Sequence, residues 1–233
     1  MRISVIIPCY NEKHTIKSLL VQVRASLEQL GMDWEIVVID DCSKDGTREI
    51  LAGLGDPGIR VILHERNRGK GGALHTGFAA ATGDILIVQD ADLEYDPREY
   101  RNLLAPVLDQ KADVVYGSRF VTTSYRRALY FWHMVSNRIL TLACNMVSNI
   151  NLTDMETCYK LFRREVLTGI KLKEPRFGFD PEFTIKVARA RFRIYEVGIS
   201  YSGRTYEEGK KIRPKDAVVV LWSIFKYGVL RFS

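Results

Sequence analysis

The chain has 233 residues, of which 46% are hydrophobic, and it carries a formal net charge of +6. This length suits one α/β domain, and because no linker, repeat or low-complexity tract is present, we predict a single domain over residues 1–233. The four cysteines lack metal-ligand spacing, and no signal peptide or membrane-spanning run is expected, which favours a reducing, cytoplasmic location.

Strands and helices alternate along the first half of the chain. Strands are predicted near residues 2–7, 34–40, 59–64, 85–90 and 112–116. Helices are predicted between them, near residues 15–30, 45–54, 71–81 and 97–109. This order predicts an α/β fold with a mostly parallel sheet and helices on both faces. The Gly-x-Gly-x-x-Gly fingerprint is missing after the first strand, which disfavours a nicotinamide dehydrogenase.

Three of these strands end in polar residues. The first ends at Pro8 and is followed by residues 9–12, the second ends in Asp40 and Asp41, and the fourth runs into residues 90–94. Ligands of open α/β sheets bind beyond the carboxyl ends of the strands, so three polar endings predict one site. The carboxylates at positions 90, 92 and 94 suit a hard divalent cation, which prefers oxygen ligands.

The second half is less regular and more basic. The pattern predicts a helical run that reaches residue 149, a helix near 180–190, and strands near 193–197 and 199–203. In residues 160–233, Lys and Arg outnumber Asp and Glu about two to one. Such an excess predicts an anionic partner, either a phosphate or an acidic membrane surface. Nucleic acid is not expected, because no recognition-helix, zinc-finger or aromatic RNA-binding signature accompanies the charge.

The stretch from Pro214 to Ser233 is predicted to be an amphipathic C-terminal helical region. Its apolar run, residues 217–225, is too short to cross a hydrocarbon core that needs about 20 residues. With Trp222, Tyr227 and flanking basic residues, it suits a helix that lies along a membrane interface. A terminal helix docked on the core explains the pattern equally well, so both alternatives stay open.

The motifs at the strand ends resemble those of the family 2 glycosyltransferases. The matching segments are IIPCYNE at 6–12, VIDDCSKDGT at 38–47, NRGKGGA at 67–73 and QDAD at 89–92. Later segments resemble the branch that loads hexose onto polyprenyl phosphate, the dolichol-phosphate mannose and polyprenyl-phosphate glucose synthases. These segments are GSRF at 117–120, LTDMET at 152–157 and YSGRTYEEGKK at 201–211. The resemblance covers nearly the whole chain.

The resemblance implies a GT-A-type, nucleotide-binding (Rossmann-like) fold and a role for each strand end. It assigns a Mg²⁺ or Mn²⁺ ion to Asp90, Asp92 and Glu94, with Asp92 the first choice as ligand and catalytic residue. It places Asp41 at the nucleotide base, where the carboxylate accepts a hydrogen bond from an imide N–H. Lys70 is a candidate for the donor phosphates. The residues expected to frame the base and the ribose are Pro8, Tyr10, Asn11 and Glu12.

The implied acceptor is a polyprenyl monophosphate. Because a phosphate monoester is already ionised near neutral pH, it needs positive charge to hold it rather than a base. Arg119 and Arg204 are the first candidates, and Lys210 and Lys211 are expected in a mobile loop that closes over the donor phosphates. Two further candidates to hold the acceptor are Arg126 and Arg127.

Two acids lie in the segment where other family 2 enzymes keep a catalytic base. Asp154 is expected either to be that base or to orient the sugar or an acceptor-binding Arg, and Glu156 is the second candidate base. Asp180 and Glu182 begin a predicted helix, where acids also suit the helix dipole.

Together these features predict a metal-dependent inverting transferase that moves a hexose from UDP-glucose or GDP-mannose to polyprenyl or dolichyl phosphate. Residues 1–117 are expected to bind the nucleotide sugar, and residues 118–233 to face the acceptor and the cytosolic side of a membrane through amphipathic segments. The main alternative is a family 2 enzyme that acts on a sugar hydroxyl of a glycan or glycolipid. A non-catalytic nucleotide-sugar-binding or scaffold protein is disfavoured by the intact acidic and Arg204 set. A sugar-1-phosphate nucleotidyltransferase is disfavoured because the turn after the first strand is not Gly-rich.

Overall fold

The computed structural model describes residues 1–121, 125–209 and 214–231, with the backbone alone at 214 and 215. Seven strands form one sheet: β1 (Arg2–Cys9), β2 (Asp33–Asp40), β3 (Ile59–Leu63), β4 (Ile85–Val88), β5 (Val114–Ser118), β6 (Lys160–Arg163) and β7 (Ile194–Gly198). The helices are α1 (Ile16–Leu30), α2 (Thr47–Ala52), α3 (Gly69–Ala80), α4 (Tyr100–Leu108), α5 (Phe131–Ser148), α6 (Glu165–Gly169), α7 (Phe179–Arg189) and α8 (Pro214–Gly228). A 3₁₀ turn over Pro97–Glu99 precedes α4.

The strand order is β3-β2-β1-β4-β6-β5-β7. All pairs are parallel except the two made by β6, which runs antiparallel to β4 and to β5. The predicted mostly parallel α/β sheet is therefore confirmed. The central strands are buried on both faces, which is the pattern of a sheet covered by helices on each side.

The structure departs from the predictions for the second half in two ways: two elements were not predicted, and one predicted strand is wrong. The strand β6 and the short helix α6 were not predicted, because residues 160–169 mix charged and apolar side chains without a clear period. The predicted strand at 199–203 is only an isolated bridge between Arg126 and Tyr201. Its backbone N–H groups are used elsewhere, since Ser200 N donates to the Glu99 carboxylate at 3.0 Å.

A second, smaller core lies beside the main one. It is formed by α5, α7 and α8, with Leu140, Met155, Ile185, Val220 and Tyr227 among its buried members. The C-terminal helix therefore docks one of its faces on the protein, as one of the two alternatives expected. Within the described ranges, the helices are all too short or too polar to cross a bilayer.

Candidate functional site

The sheet edge at the carboxyl ends of β1, β2 and β4 carries three unusual backbone turns. Asn11, Cys42 and Leu93 all adopt positive φ angles, of 52°, 66° and 62°. Such angles are uncommon for residues other than glycine and occur at sites where the surrounding structure enforces them. The three strands are neighbours in the sheet, so these turns place their polar side chains at one edge.

The turns after β1 and β2 are locked to each other. Asn11 N donates to Ser43 Oγ at 2.9 Å, and the Asn11 side chain accepts from Lys44 N at 2.8 Å. Asp40 is fully buried, where it accepts from Ser43 N at 3.1 Å and pairs with Arg48 at 3.2 Å. The polar side chains of Asn11 and Asp40 therefore hold the loop, while Tyr10 is exposed beside it.

Asp41 is more enclosed than its predicted role at the base suggests. Its side chain accepts hydrogen bonds from His64 Nδ1 and Arg68 N, both at 2.8 Å, and from Gly69 N at 2.7 Å. The residue is only 3% exposed. An ionised carboxylate has about four acceptor positions, so these three donors leave one position unused. Asp41 thus also accepts hydrogen bonds from backbone N–H groups at the N-terminus of α3, which have no partner within the helix.

Arg204 joins three acids from two strand ends. Its guanidinium lies 3.2 Å from Glu12, 3.0 Å from Asp92 and 3.4 Å from Glu94, and its backbone N donates to Glu94 at 2.9 Å. Burial, together with the charges of Asp90 and Glu94, raises the pKa of Asp92 to about 7. One guanidinium therefore does not neutralise this group of acids. Glu12, expected near the base or ribose, also belongs to this group of acids around Arg204.

Asp90 lies in a separate ion pair. The Lys70 ammonium is 2.7 Å from the Asp90 carboxylate, so the lysine expected at the phosphates is held here by an acid. Burial raises the pKa of Asp90, but Lys70 outweighs that effect and holds the pKa below its ordinary value. Within the described residues, no three His, Cys, Asp or Glu side chains are gathered as a metal-binding group. Asp90 is thus paired with Lys70, whereas Asp92 and Glu94 share Arg204.

The glycines around Lys70 let another segment pack against α3. A Cβ on Gly71 would lie 2.1 Å from the carbonyl oxygen of Glu174, and Gly72 N donates to Pro175 O at 2.8 Å. Glu182 is fully buried and accepts from the backbone N–H of Glu174 at 2.7 Å. Glu182 is therefore a structural residue that holds the segment against which Lys70 is placed.

Arg119 and Asp154 form another buried ion pair. The guanidinium donates twice to the carboxylate, from Nε at 2.6 Å and from Nη2 at 2.7 Å. Asp154 is fully buried, and although burial raises its pKa, Arg119 outweighs burial and the pKa is lowered. A carboxylate so paired is a weak base, so the geometry favours the second expected role, orientation of Arg119.

A cluster of three arginines surrounds the Phe120 ring, and we call it the arginine cluster. The guanidinium carbons of Arg119, Arg126 and Arg138 lie 5.9, 5.4 and 6.0 Å from the ring centroid. No carboxylate pairs with Arg126 or Arg138 among the described residues, which leaves their charge available to a ligand. Arg127, also a candidate, pairs with Glu208 at 2.7 Å.

Tyr201 links the arginine cluster to the acids at the strand ends. Its hydroxyl donates to Glu94 at 2.6 Å, and its ring lies 5.2 Å below the guanidinium carbon of Arg119. Sequence reasoning did not single out Phe120, Arg138 or Tyr201 as site residues. The signal for Arg138 was its interruption of the apolar run that forms α5.

Arg138 of the arginine cluster lies on α5, and α5 packs against α8; both helices carry exposed apolar side chains. On α5 the exposed set is Phe131, Trp132, Ile139, Leu142 and Met146. On α8 it is Val218, Val219, Leu221, Trp222 and Phe225. The side chains of Trp132 and Trp222 are 76% and 58% exposed. Together these residues form an outward apolar face, which we call the α5–α8 face, because the opposite sides of both helices pack into the second core.

The loop that carries Arg204 is also tied to α5. Tyr206 OH lies 2.8 Å from His133 Nε2, and its ring packs against Tyr130 at 5.3 Å. Lys210 and Lys211, predicted to close over the donor phosphates, lie outside the described residues. Asp180, whose role the sequence left open, forms a buried pair with Lys160 at 2.5 Å.

Comparison with known proteins gives both a family and a fold. The family model described as glycosyl transferase family 2 matches residues 4–170. The undecaprenyl-phosphate 4-deoxy-4-formamido-L-arabinose transferase of Aeromonas hydrophila is 28% identical over 211 residues, which cover 89% of this chain and 62% of that protein. The same transferase of Salmonella enteritidis PT4 is 29% identical over 212 residues, with coverage of 90% and 62%. The chain thus spans 62% of the length of these curated relatives.

Solved structures of similar shape include glucosyl-3-phosphoglycerate synthase from Mycobacterium tuberculosis. Its complex with Mn²⁺, UDP and phosphoglyceric acid has a TM-score of 0.74 at 22% identity, and covers 98% of this chain and 78% of that one. Its complex with Mg²⁺ and UDP has a TM-score of 0.72 at 23% identity, with coverage of 97% and 79%. At this identity the likeness concerns the fold, and it confirms the predicted GT-A-type architecture.

Proposed function

The chain belongs to glycosyl transferase family 2, and we propose that it transfers a hexose from a nucleotide sugar to a polyprenyl phosphate. UDP-glucose and GDP-mannose are the proposed donors, and the cytosolic face of a membrane is the proposed place of reaction. The relatives named for transfer to undecaprenyl phosphate support the class of acceptor.

The strand-end acids support a metal-assisted donor site. Mg²⁺ commonly binds through one or two carboxylates and completes its coordination with water and substrate phosphates. Asp92 fits that requirement best, because it is an incompletely neutralised oxygen ligand at the sheet edge, with Asp90 and Glu94 beside it. A bound Mg²⁺ or Mn²⁺ would offset the charge that develops on the leaving diphosphate. Arg204, at the same acids, adds a fixed positive charge there.

The nucleotide is proposed to lie over the turns after β1 and β2. Exposed Tyr10 offers a ring surface, and Pro8 and Asn11 shape the turn beneath it. The remaining acceptor position of Asp41 suits an imide N–H of uracil or guanine. The proposed phosphate contacts of Lys70, Lys210 and Lys211 complete this donor site.

The arginine cluster supports a phosphate acceptor and carries the proposal. An ionised phosphate is itself the nucleophile, so direct displacement at the anomeric carbon requires orientation and positive charge rather than proton removal. Arg119 is fixed by Asp154, while Arg126 and Arg138 stand next to it on one aromatic ring. Arginine matches phosphate with two hydrogen bonds at once.

The α5–α8 face supports contact with a membrane surface. Aromatic and aliphatic side chains cover this face, and such helices lie in the interface with their apolar side buried in lipid. Because Arg138 lies on α5, a phosphate held at the membrane surface by this face would be near the arginine cluster while its prenyl chain stayed in the lipid. The basic excess of residues 160–233 agrees with an anionic surface.

The alternative acceptor is a sugar hydroxyl, and one observation favours it. Burial raises the pKa of Glu156 to about 7, a value that suits a general base. Asp154 does not suit that task, since its carboxylate is bonded to Arg119. The hydroxyl acceptor therefore depends on Glu156 alone.

The test is transfer of radiolabel from UDP-glucose and from GDP-mannose into an organic-extractable lipid, with polyprenyl phosphate and Mn²⁺ or Mg²⁺. We expect label in the lipid with one donor, its loss on addition of EDTA, and a loss of about 100-fold or more for Asp92→Asn. Release of nucleotide only when soluble glycans are added, with no lipid label, would contradict the proposal and support the hydroxyl acceptor.

A further inference from the structure

The proposed reaction confines the transferred sugar to the space between two groups of charges. Its anomeric carbon has to lie between the leaving diphosphate, at Asp92, and the attacking phosphate, at Arg119. These two positions are connected through Tyr201, which contacts both Glu94 and Arg119. Any residue that recognises the sugar must therefore face this short span of the site.

The antiparallel strand β6 brings one further segment to the same place. Because β6 runs opposite to β4, the residues that precede β6 run back beside those that follow β4. Two contacts mark this approach: Cys158 N donates to Tyr95 OH at 3.0 Å, and Cys158 Sγ lies 3.7 Å from Val88 O. Glu156 thus reaches the edge of the sheet that carries Asp92.

Glu156 differs from Asp154 in how its oxygens are used. Both oxygens of Asp154 bind Arg119, and the residue is fully buried. Glu156 is half-buried, and its Oε2 accepts from Asn137 Nδ2 at 3.2 Å. That same amide donates to Asp154 at 3.1 Å, so Asn137 fixes the two acids side by side. No donor within the described part of the chain is bonded to Glu156 Oε1.

We infer that Glu156 is a specificity-determining residue whose Oε1 accepts a hydrogen bond from a hydroxyl of the donor sugar. The inference rests on the proposed function. It adds to that function the residue, Glu156, that would distinguish a nucleotide sugar from the nucleotide alone. A carboxylate forms hydrogen bonds about twice as strong as those of a neutral acceptor. Asn137 holds the side chain in place, and the fixed Arg119–Asp154 pair keeps the acceptor phosphate next to it.

The experiment measures binding rather than transfer. Isothermal titration with the full chain and Mn²⁺ gives the affinities for UDP, UDP-glucose, GDP and GDP-mannose. We expect the wild type to bind one nucleotide sugar more tightly than its nucleotide. Glu156→Gln and Glu156→Ala should weaken that nucleotide sugar by about 10- to 100-fold, while the nucleotide alone changes by less than about twofold.

Deoxy analogues of the preferred donor identify the hydroxyl. One analogue should lose affinity with the wild type but lose nothing further with Glu156→Ala, because both changes remove the same hydrogen bond. Glu196→Gln is the matched control: Glu196 accepts from the backbone N–H of Thr153 and Asp154, so it supports the same segment from outside the sugar space. This control should keep the preference for the nucleotide sugar.

Four results would overturn the inference. These are an unchanged affinity of Glu156→Ala for the nucleotide sugar, an equal loss for the nucleotide, an equal loss in Glu196→Gln, and a wild type without preference for any nucleotide sugar. A Glu156→Gln variant that binds donor normally but no longer glycosylates a glycan would assign Glu156 as a base instead. Lipid labelling by the same preparation tests the proposed function separately, since labelled lipid with any of these results leaves that function standing.

Discussion

Variants of the ion pair between Arg119 and Asp154 can separate an effect on stability from an effect on catalysis. We predict that Asp154→Asn destabilises the protein, because the Arg119 guanidinium, 16% exposed, then lacks its charged partner. Breaking a buried pair by removing one charge costs about 3–5 kcal/mol. Asparagine still accepts one hydrogen bond, so we take the lower end, about 3 kcal/mol. For a chain of this size, that loss lowers Tm by roughly 6–12 °C.

A double variant tests whether this cost arises from the unpaired charge. Replacing a buried ion pair by apolar residues of similar volume is often neutral for stability. Arg119→Met combined with Asp154→Leu should therefore recover more than half of the Tm lost by Asp154→Asn. Transfer to polyprenyl phosphate should stay impaired in both proteins, because each lacks a correctly held Arg119.

The measurements are calorimetry, which gives Tm, and kinetics with polyprenyl phosphate, which give KM and kcat. We expect Asp154→Asn to raise the KM for polyprenyl phosphate, with a smaller effect on the KM for the nucleotide sugar. A Tm equal to that of the wild type, together with a loss confined to kcat, would refute the reasoning and assign Asp154 as a catalytic base. A double variant no more stable than the single one would show that the charge is not the cause.

Three further predictions concern the membrane face, the packing of α3 and the titration of one acid. Trp222→Glu should reduce binding to anionic liposomes at least several-fold with little change in Tm. Val21→Glu is the control, because Val21 is similarly exposed on α1 and its replacement should leave liposome binding unchanged. Equal binding by the two variants would contradict a role for the α5–α8 face. Gly71→Ala should lower the free energy of unfolding by about 1–3 kcal/mol, since its Cβ would meet a backbone carbonyl oxygen. Gly55→Ala is the control, because nothing lies within 4 Å of a Cβ at that position. Equal denaturation midpoints for the two variants would refute this prediction. Burial raises the pKa of Glu156 to about 7, so the folded protein ionises this group less readily than the unfolded chain, in which its pKa is about 4.3. The stability of the wild type relative to Glu156→Gln should therefore fall as pH rises from about 4 to about 7 and then level off, and a Tm difference independent of pH would contradict it. The charged groups that act on Glu156 are Arg119, Asp154, Lys160 and Asp180.

The first half of the fold could be predicted because its signals are local. The apolar runs of β1, β2 and β4 are short and end in turn residues, and α1, which joins β1 to β2, has an apolar face. The second half could not, because β6 has only four residues and pairs with strands far away in sequence. A strand of that length is specified by its partners rather than by its own pattern.

The candidate site divides in the same way. Residues at strand ends were found because a parallel sheet brings such ends together, and Asp90, Asp92 and Asp41 all lie there. Their partners were not predictable from spacing: Arg204 meets Glu12 and Asp92, which lie 192 and 112 positions away in the sequence. Pairings of this kind depend on long-range packing, which single-sequence patterns do not encode.

The reversal at β6 also explains how one sheet could serve the two phosphates of the proposed reaction. Parallel strands alone would place only turns like those after β1, β2 and β4, the proposed donor-binding turns, at this edge. Because β6 lies between β4 and β5 and runs in the opposite direction, residues 154–157, which precede β6, lie at the edge where β4 and β5 end. Asp154 can then hold Arg119, which directly follows β5, within reach of Tyr201 and the acids after β4. The antiparallel insertion therefore sets the acids after β4 and the paired Arg119 side by side, an arrangement that the proposed direct displacement between two phosphates requires.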